Sequence, residues 1–246
     1  MEPQRLSNAP IVEAMVTILV APSEQGSTVS LDQFQQGLET RFPRKQPRYH
    51  LDIQFTSQPE TEAVSPSVSP RPKELLLLSP EGKRAVQVGP GRFAFSVIND
   101  YSTWDDLLRE TQELWQRYRA VFGPQRVLRL GVRYINRLHL PLAGASPSDL
   151  LNVFPAWPDR LPLTRSLMQL STLDENTGAE AVVTQIVEPS TEQDTVFLVT
   201  FDTDAGRAVD LAPDDDTLWD QLQPLRDLKN RIFFDAFTDR ALEKYR

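Results

Sequence analysis

The segment RVLRLGVRYINRLHLP, Arg126 to Pro141, constrains the fold more than any other part of this chain. A strand sends alternate side chains to opposite faces. Here Leu128, Leu130, Val132, Tyr134, Asn136 and Leu138 fall on one face. Arg129, Gly131, Arg133, Ile135, Arg137 and His139 fall on the other. The alternation predicts a long strand from Arg126 to Leu140, apolar on one side and basic on the other. Such a strand belongs in a sheet whose apolar face is covered and whose second face is not.

The flanking sequence supplies the rest of that sheet. Ile11 to Val20 is short and β-branched and predicts a strand, and Tyr49 to Phe55 alternates as a half-buried one. Leu75–Leu78, Ala85–Val88 and Phe93–Ile98, separated by Gly/Pro turns, predict an antiparallel meander. Ser166–Leu173, Ala181–Val187 and Thr195–Thr203 predict three further strands. Helices are expected after Ser30, from Ser102 to about Val121 with Gly123-Pro124 as the stop, and from Asp214–Asp216 to the C-terminus. Pro224 marks a bend or a second start in the last of these. Residues 59–72, rich in Pro and Ser, read as a long loop. Residues 141–163 read as irregular, with one turn of helix near Ser148 to Val153. Phe154 and Trp157 there read as anchors holding that loop to the body.

The order of elements nearly repeats. Ile11 and Arg126, which open the two long strands, are 115 positions apart, as are Trp104-Asp105-Asp106-Leu107 and Trp219-Asp220-Gln221-Leu222. The expectation is an α+β fold in which an antiparallel sheet is duplicated, residues 1–123 forming one half and 124–246 the other, joined into one module through their first strands. Long helices would pack on one face. This arrangement resembles the saddle of TATA-box-binding-like folds, a likeness of architecture that implies no function.

Composition excludes several chemistries. The chain has no Cys, hence no disulfide framework and no thiolate nucleophile or metal ligand. No apolar run approaches the roughly 18 residues of a membrane span. The first ten residues do not read as a signal peptide, so a cytoplasmic protein is expected. The net charge of −8 opposes non-specific nucleic-acid binding. His50 and His139 are the only histidines and neither sits in a catalytic motif. No phosphate-binding glycine loop is present, and Asp214–Asp216 read as a helix start. No catalytic residue, metal site or cofactor is expected, while a hydrolase built on carboxylates among the 34 acids stands as a third reading.

What remains is the basic face. Arg129, Arg133 and Arg137 recur every fourth position, with Gly131 leaving room for a close approach. Two readings stand open. Arginine forks suit a phosphate, a carboxylate or a nucleic-acid backbone. The same arginines also suit acids on neighbouring strands, Glu13 foremost if the two long strands pair. Asn136, polar on the apolar face, either satisfies backbone groups or contacts a ligand.

Asn8-Ala9-Pro10-Ile11-Val12-Glu13-Ala14, Arg133-Tyr134-Ile135-Asn136-Arg137, and Ile232-Phe233-Phe234-Asp235 with Thr238-Asp239 resemble the signatures of an uncharacterised bacterial family of about this length, sporadically distributed. Ala9 departs from the Pro common at that position. The family brings no agreed activity. Its patchy distribution implies mobile or defence-linked gene neighbourhoods and an accessory subunit, for example one accompanying a CRISPR-type system. The leading expectation is therefore a non-catalytic interaction protein, an adaptor or regulatory subunit with a protein partner. The alternative is a module binding a phosphorylated ligand or nucleic acid through Arg129, Arg133, Arg137, Asn136 and Glu13.

Overall fold

A computed structural model describes residues 6–23, 28–48, 51–54, 65–68, 73–141, 146–155, 158, 160, 164–189 and 196–246. The strands are β1 (Ile11–Ala21), β2 (Arg44–Arg48), β3 (Leu51–Gln54), β4 (Ser65–Val68), β5 (Glu74–Leu78), β6 (Arg84–Gly89), β7 (Arg92–Ile98), β8 (Arg126–Pro141), β9 (Ser166–Asp174), β10 (Ala179–Pro189) and β11 (Val196–Leu211). The helices are α1 (Thr28–Gln35), α2 (Trp104–Phe122), α3 (Leu222–Ala236) and the short α4 (Asp239–Leu242). Nine strands form one antiparallel sheet in the order β2-β5-β6-β7-β1-β8-β11-β10-β9, and β3 and β4 pair separately. The protein is α+β, with its helices on one side of the sheet.

The two long strands meet at the centre. Val16 of β1 lies opposite Val132 of β8, and Ala14 opposite Tyr134. Outward from that pair the order is β7-β6-β5-β2 on one side and β11-β10-β9 on the other. Alternation sends Ala14, Val16, Ile18, Leu130, Val132, Tyr134, Phe93 and Phe95 to the helical side, where all are buried. Each Val, Ile, Leu and Phe side chain among them contributes roughly 1.5–3 kcal/mol by leaving water.

The helix α2 shows why the sequence folds as it does here. Thr103 caps it, accepting from the Asp106 N–H at 3.1 Å, and Asp105 and Asp106 occupy the positive end of its dipole. The cap is thus Thr103 rather than the expected Ser102, whose hydroxyl instead donates to the Asp106 carboxylate. Gly123 ends it in the left-handed region (φ 53°), its N–H returning to the Arg119 carbonyl. Trp115, Tyr118 and Phe122 stack along the buried stripe and meet Phe93 of β7. This core also includes Val127, Ala205 and Leu225, so it crosses the β1/β8 junction. A second cluster, with Phe201, Phe233 and Phe237 at its centre, packs between β8, β10, β11 and α3.

Several elements differ from the sequence reading. Leu128 is 45% exposed, because β8 bulges there: Leu19 opposes Arg129, and the next residue, Val20, opposes Val127. The expected loop 59–72 contains β4, which pairs its backbone with β3; its other residues lie outside the described set, as do Tyr49, His50 and Phe55 at the ends of the alternating strand. The edge strand β2 was hidden by Pro47 and its charges, and α1 ends at Gln35, although Phe42 beyond it is still buried. Asp215 caps only a turn of 3₁₀ helix, Asp216–Leu218, and α3 begins at Leu222 with Pro224 in its first turn, where a missing N–H costs nothing. The second tryptophan motif therefore ends where α3 begins, whereas the first opens α2. The turn expected near Ser148 is a 3₁₀ turn, Pro147–Asp149. Phe154 packs on the second cluster, and Trp157 lies outside the described residues. Among the described residues no helix is long and apolar enough to cross a membrane.

Candidate functional site

The basic stripe lies on the uncovered face of the sheet, and its residues have separate occupations. Arg133 forms a two-pronged pair with Asp202 of β11, Nε–Oδ1 at 2.9 Å and Nη2–Oδ2 at 2.6 Å. That hydrogen-bonded carboxylate, with Asp204 and Glu13 nearby, holds the guanidinium pKa above its usual value against the opposing effect of burial. Arg129 sits 3.9 Å from Asp204. Its guanidinium lies over Gly131 and over Gly206, which faces Gly131 across the β8/β11 ladder. The room left by Gly131 is filled by the chain's own Arg129. Arg137 is exposed, with no side-chain partner among the described residues. Glu13 opposes Ile135; the acids that neutralise the stripe come mainly from β11 instead. The five predicted site residues do not converge: Asn136 points to the other face.

Asn136 leads to a different place. It is 3% exposed, donates from Nδ2 to the Phe201 carbonyl at 3.4 Å, and lines a cleft of about 300 Å³ on the helical side of the sheet. The segment Asn8–Ile11 forms one wall, held by the Arg137 N–H donating to the Pro10 carbonyl at 2.8 Å. The start of α2 and the loop before it, with Tyr101 and Trp104, form another. The third is α3, through Arg226, Lys229, Phe233 and Phe234. Asn8–Ile11, Asn136 and Phe233–Phe234, distant in sequence, meet here.

The electrostatics of the cleft are one-sided. Its described lining contains two cations and no carboxylate, in a chain with eight more acids than bases. Arg226 stacks over the Trp104 ring at 5.4 Å. Lys229 is 7% exposed, and its Nζ lies 3.6 Å from the centroid of the Tyr134 ring. Among the described residues it has no ion pair. Burial, reinforced by the Arg226 charge, pushes its ammonium down to about 7. Tyr134 in turn holds Tyr101 by a hydroxyl contact of 3.1 Å and an edge-on ring contact. Burial raises the Tyr134 hydroxyl well above its ordinary range, so it remains a neutral donor.

A buried ammonium normally has a carboxylate partner. Here a ring face substitutes in part, as cation–π contacts allow. The arrangement can bind an anionic group between Lys229 and Arg226, with Asn136 beside it and aromatic walls for an apolar body. The lining hydroxyls Ser102 and Thr103 donate to the Asp106 carboxylate at the start of α2, and no group of acids or histidines suited to a metal is found among the described residues. Reading the sequence missed Lys229, though a signal was present. Leu222, Leu225, Lys229, Phe233 and Ala236 follow helical spacing, and the lysine interrupts an otherwise apolar stripe. No family model matches the chain, and none of the curated proteins does.

Proposed function

We propose that this chain is a non-catalytic binding module for a small organic anion, a carboxylate or phosphate on an apolar body, held in the cleft between β8, α3 and the segment before β1. The observation that carries this reading is Lys229, buried without a counter-charge at a cleft whose lining holds a second cation and no acid. The volume, about 300 Å³, lies at the lower end of the usual range for ligand sites. That Asn8–Ile11, Asn136 and Phe233–Phe234 line one cleft supports a shared binding role for them. The test is thermal unfolding and calorimetric titration with inorganic phosphate, sulfate, dicarboxylates and nucleoside monophosphates. At least one should raise Tm in the native chain, less so in Lys229→Met, and equally in the Arg129→Ala/Arg133→Ala/Arg137→Ala variant. Equal response of native chain and Lys229→Met would sink the cleft; loss of response in the triple variant would return the site to the stripe.

A second reading, an interaction protein acting as adaptor or regulatory subunit, has its own support. Leu167 and Leu173, both on the edge strand β9, are 66% and 57% exposed. An uncovered strand edge with exposed apolar side chains is a docking feature. The duplicated saddle is the architecture we favour, and the mirrored strand order about β1 and β8 supports it. The second half then lacks a counterpart of β2 among the described residues, which leaves β9 as an edge.

A further inference from the structure

The two ends of the sheet are guarded differently. At one end β2 carries Arg44, Lys45, Pro47 and Arg48, all exposed. Charges and proline on an edge strand block pairing with another chain. At the other end β9 has neither charge nor proline from Ser166 to Leu173. Its outer edge has no strand beside it among the described residues. Leu167, Leu170 and Leu173 are 66%, 46% and 57% exposed.

The positions of these residues are symmetric about Leu170. Leu167 and Leu173 lie three residues to either side, and Arg165 and Glu175 lie five to either side. Directly opposed residues in an antiparallel pair share a face. An antiparallel pairing of β9 with itself, centred on Leu170, therefore sets Leu167 against the partner's Leu173 on the uncovered face. It sets Leu170 against the partner's Leu170 on the helical face. At each end Arg165, just before β9, comes beside the partner's Glu175, the first residue of the turn after β9, one cation near one acid. Arg165 lies 3.5 Å from Glu188 of β10, yet its side chain is 63% exposed and its guanidinium has donors for a second carboxylate. A shift of register by one residue would place leucines on opposite faces and break both charge pairs.

We propose that β9 is a dimerisation edge, pairing antiparallel with β9 of a second copy about a two-fold axis at Leu170 and joining two nine-stranded sheets into one. This rests on the reading of the chain as an interaction protein and names its partner; it does not depend on the anion cleft. An isologous contact of this kind closes on itself and leaves only the two β2 edges, guarded by charge and proline.

The absence of native cysteine gives a direct test. Opposed residues across an antiparallel pair have Cα atoms roughly 4.5–5.5 Å apart, within the range a disulfide spans. Leu170→Cys, oxidised in dilute solution, should form a covalent dimer in high yield, whereas Leu128→Cys, 45% exposed on β8, should not. Sedimentation of the full chain should give twice the mass of one 27.9 kDa chain. Glu175→Arg should weaken the dimer at least tenfold, and Arg165→Glu/Glu175→Arg should restore it, with circular dichroism unchanged in each. A chain that is monomeric at all concentrations, or equal cross-linking of the two cysteine variants, overturns the proposal. So does a β9 edge that binds a different protein while the chain stays monomeric, an outcome that leaves the interaction reading standing.

Discussion

Lys229 Nζ lies 3.6 Å from the centroid of the Tyr134 ring, and this contact takes the place of an ion pair. The lysine comes from α3 and the tyrosine from β8, so the charge sits where helix and sheet would otherwise make an uninterrupted apolar contact. Three groups of note face it: Arg226 on its own helix, Tyr134 on β8, and Tyr101 behind that tyrosine. None of them is an acid. The folded protein therefore carries a charge it would be more stable without, which is what a binding site needs if the ligand is to supply the missing partner.

The pH dependence of stability follows with a definite sign. The folded ammonium titrates near 7, by burial and then by Arg226, against 10.5 in the unfolded chain. Between those values the unfolded state holds the extra proton, so stability rises with pH through that window. Below about pH 7 the full penalty is present, on the order of a few kcal/mol. Lys229→Met keeps the length and removes the charge. It should raise Tm most at pH 6–7, with the gain shrinking toward pH 10 and the window's slope flattened. Thermal unfolding of both proteins across that range checks it; parallel profiles would show that Lys229 is solvated in the folded state.

Anion affinity should run the other way. Lys229 binds an anion as the ammonium only. With sulfate, whose charge is constant above acid pH, affinity should fall as pH rises past about 7, approaching tenfold per unit once the free lysine is neutral. Titration at three pH values in one ionic strength reads this directly. A flat profile would assign the binding to Arg226 alone.

How much of this the sequence reveals depends on the range of the interaction. The long strand, the meander and α2 are legible because their period and caps are local: Thr103, Gly123 and the alternation of β8 sit within their own elements. The pairing of Ile11 with Asn136 is not local, although the two strands could be matched as counterparts. The stripe is legible as a strand face whose arginines meet acids on a neighbouring strand; that these acids are Asp202 and Asp204, with Glu13 only a minor neighbour, is not. Asp202 and Asp204 alternate with Phe201, Thr203 and Ala205 on β11, and only the register with β8 brings them against Arg133 and Arg129. Lys229 escaped because a lysine in a helix is usually solvated, and its burial depends on where β8 and the Asn8–Ile11 segment lie. The bulge at Leu128 escaped because nothing in the local alternation signals a change of phase.

The pair between Arg133 and Asp202 gives an asymmetric prediction. Arg133 has a side chain 40% exposed and Asp202 one 18% exposed, so solvent screens the attraction. A double-mutant cycle with alanine should give a coupling of about 0.5–1 kcal/mol. The single changes should differ. Asp202→Ala leaves Arg133 near Asp204 and Glu13, whose charges already act on it. Arg133→Ala leaves Asp202 without its cation and Asp204 with Arg129 alone, at 3.9 Å, and should cost more. Urea unfolding of the four proteins decides it; equal single losses would mean that Asp204 and Glu13 lie too far away to compensate.

Tyr245 ties the last turn of the chain to the cleft, and its removal should be felt there. It is buried, and its hydroxyl accepts from the His139 N–H at 2.9 Å near the end of β8. Its backbone carbonyl accepts from the Asn8 N–H at 3.0 Å, holding the segment that walls the cleft. Tyr245→Phe removes only the hydroxyl and leaves the partly buried His139 N–H without that partner, a cost of about 1–2 kcal/mol. The ring stays, so Asn8 keeps its anchor and anion affinity should change little. Tyr245→Ala also removes the ring from the second core and loosens the C-terminal turn that presents that carbonyl. Its stability loss should reach about 3 kcal/mol. Anion affinity should then fall severalfold although Lys229, Arg226 and Asn136 are untouched. Sulfate titration of the two variants at temperatures well below their Tm separates these effects. Affinity unchanged in both would mean that the Asn8–Ile11 wall holds its position without the C-terminal anchor, through the Arg137 N–H to Pro10 hydrogen bond and the pairing of Ile11 with Asn136.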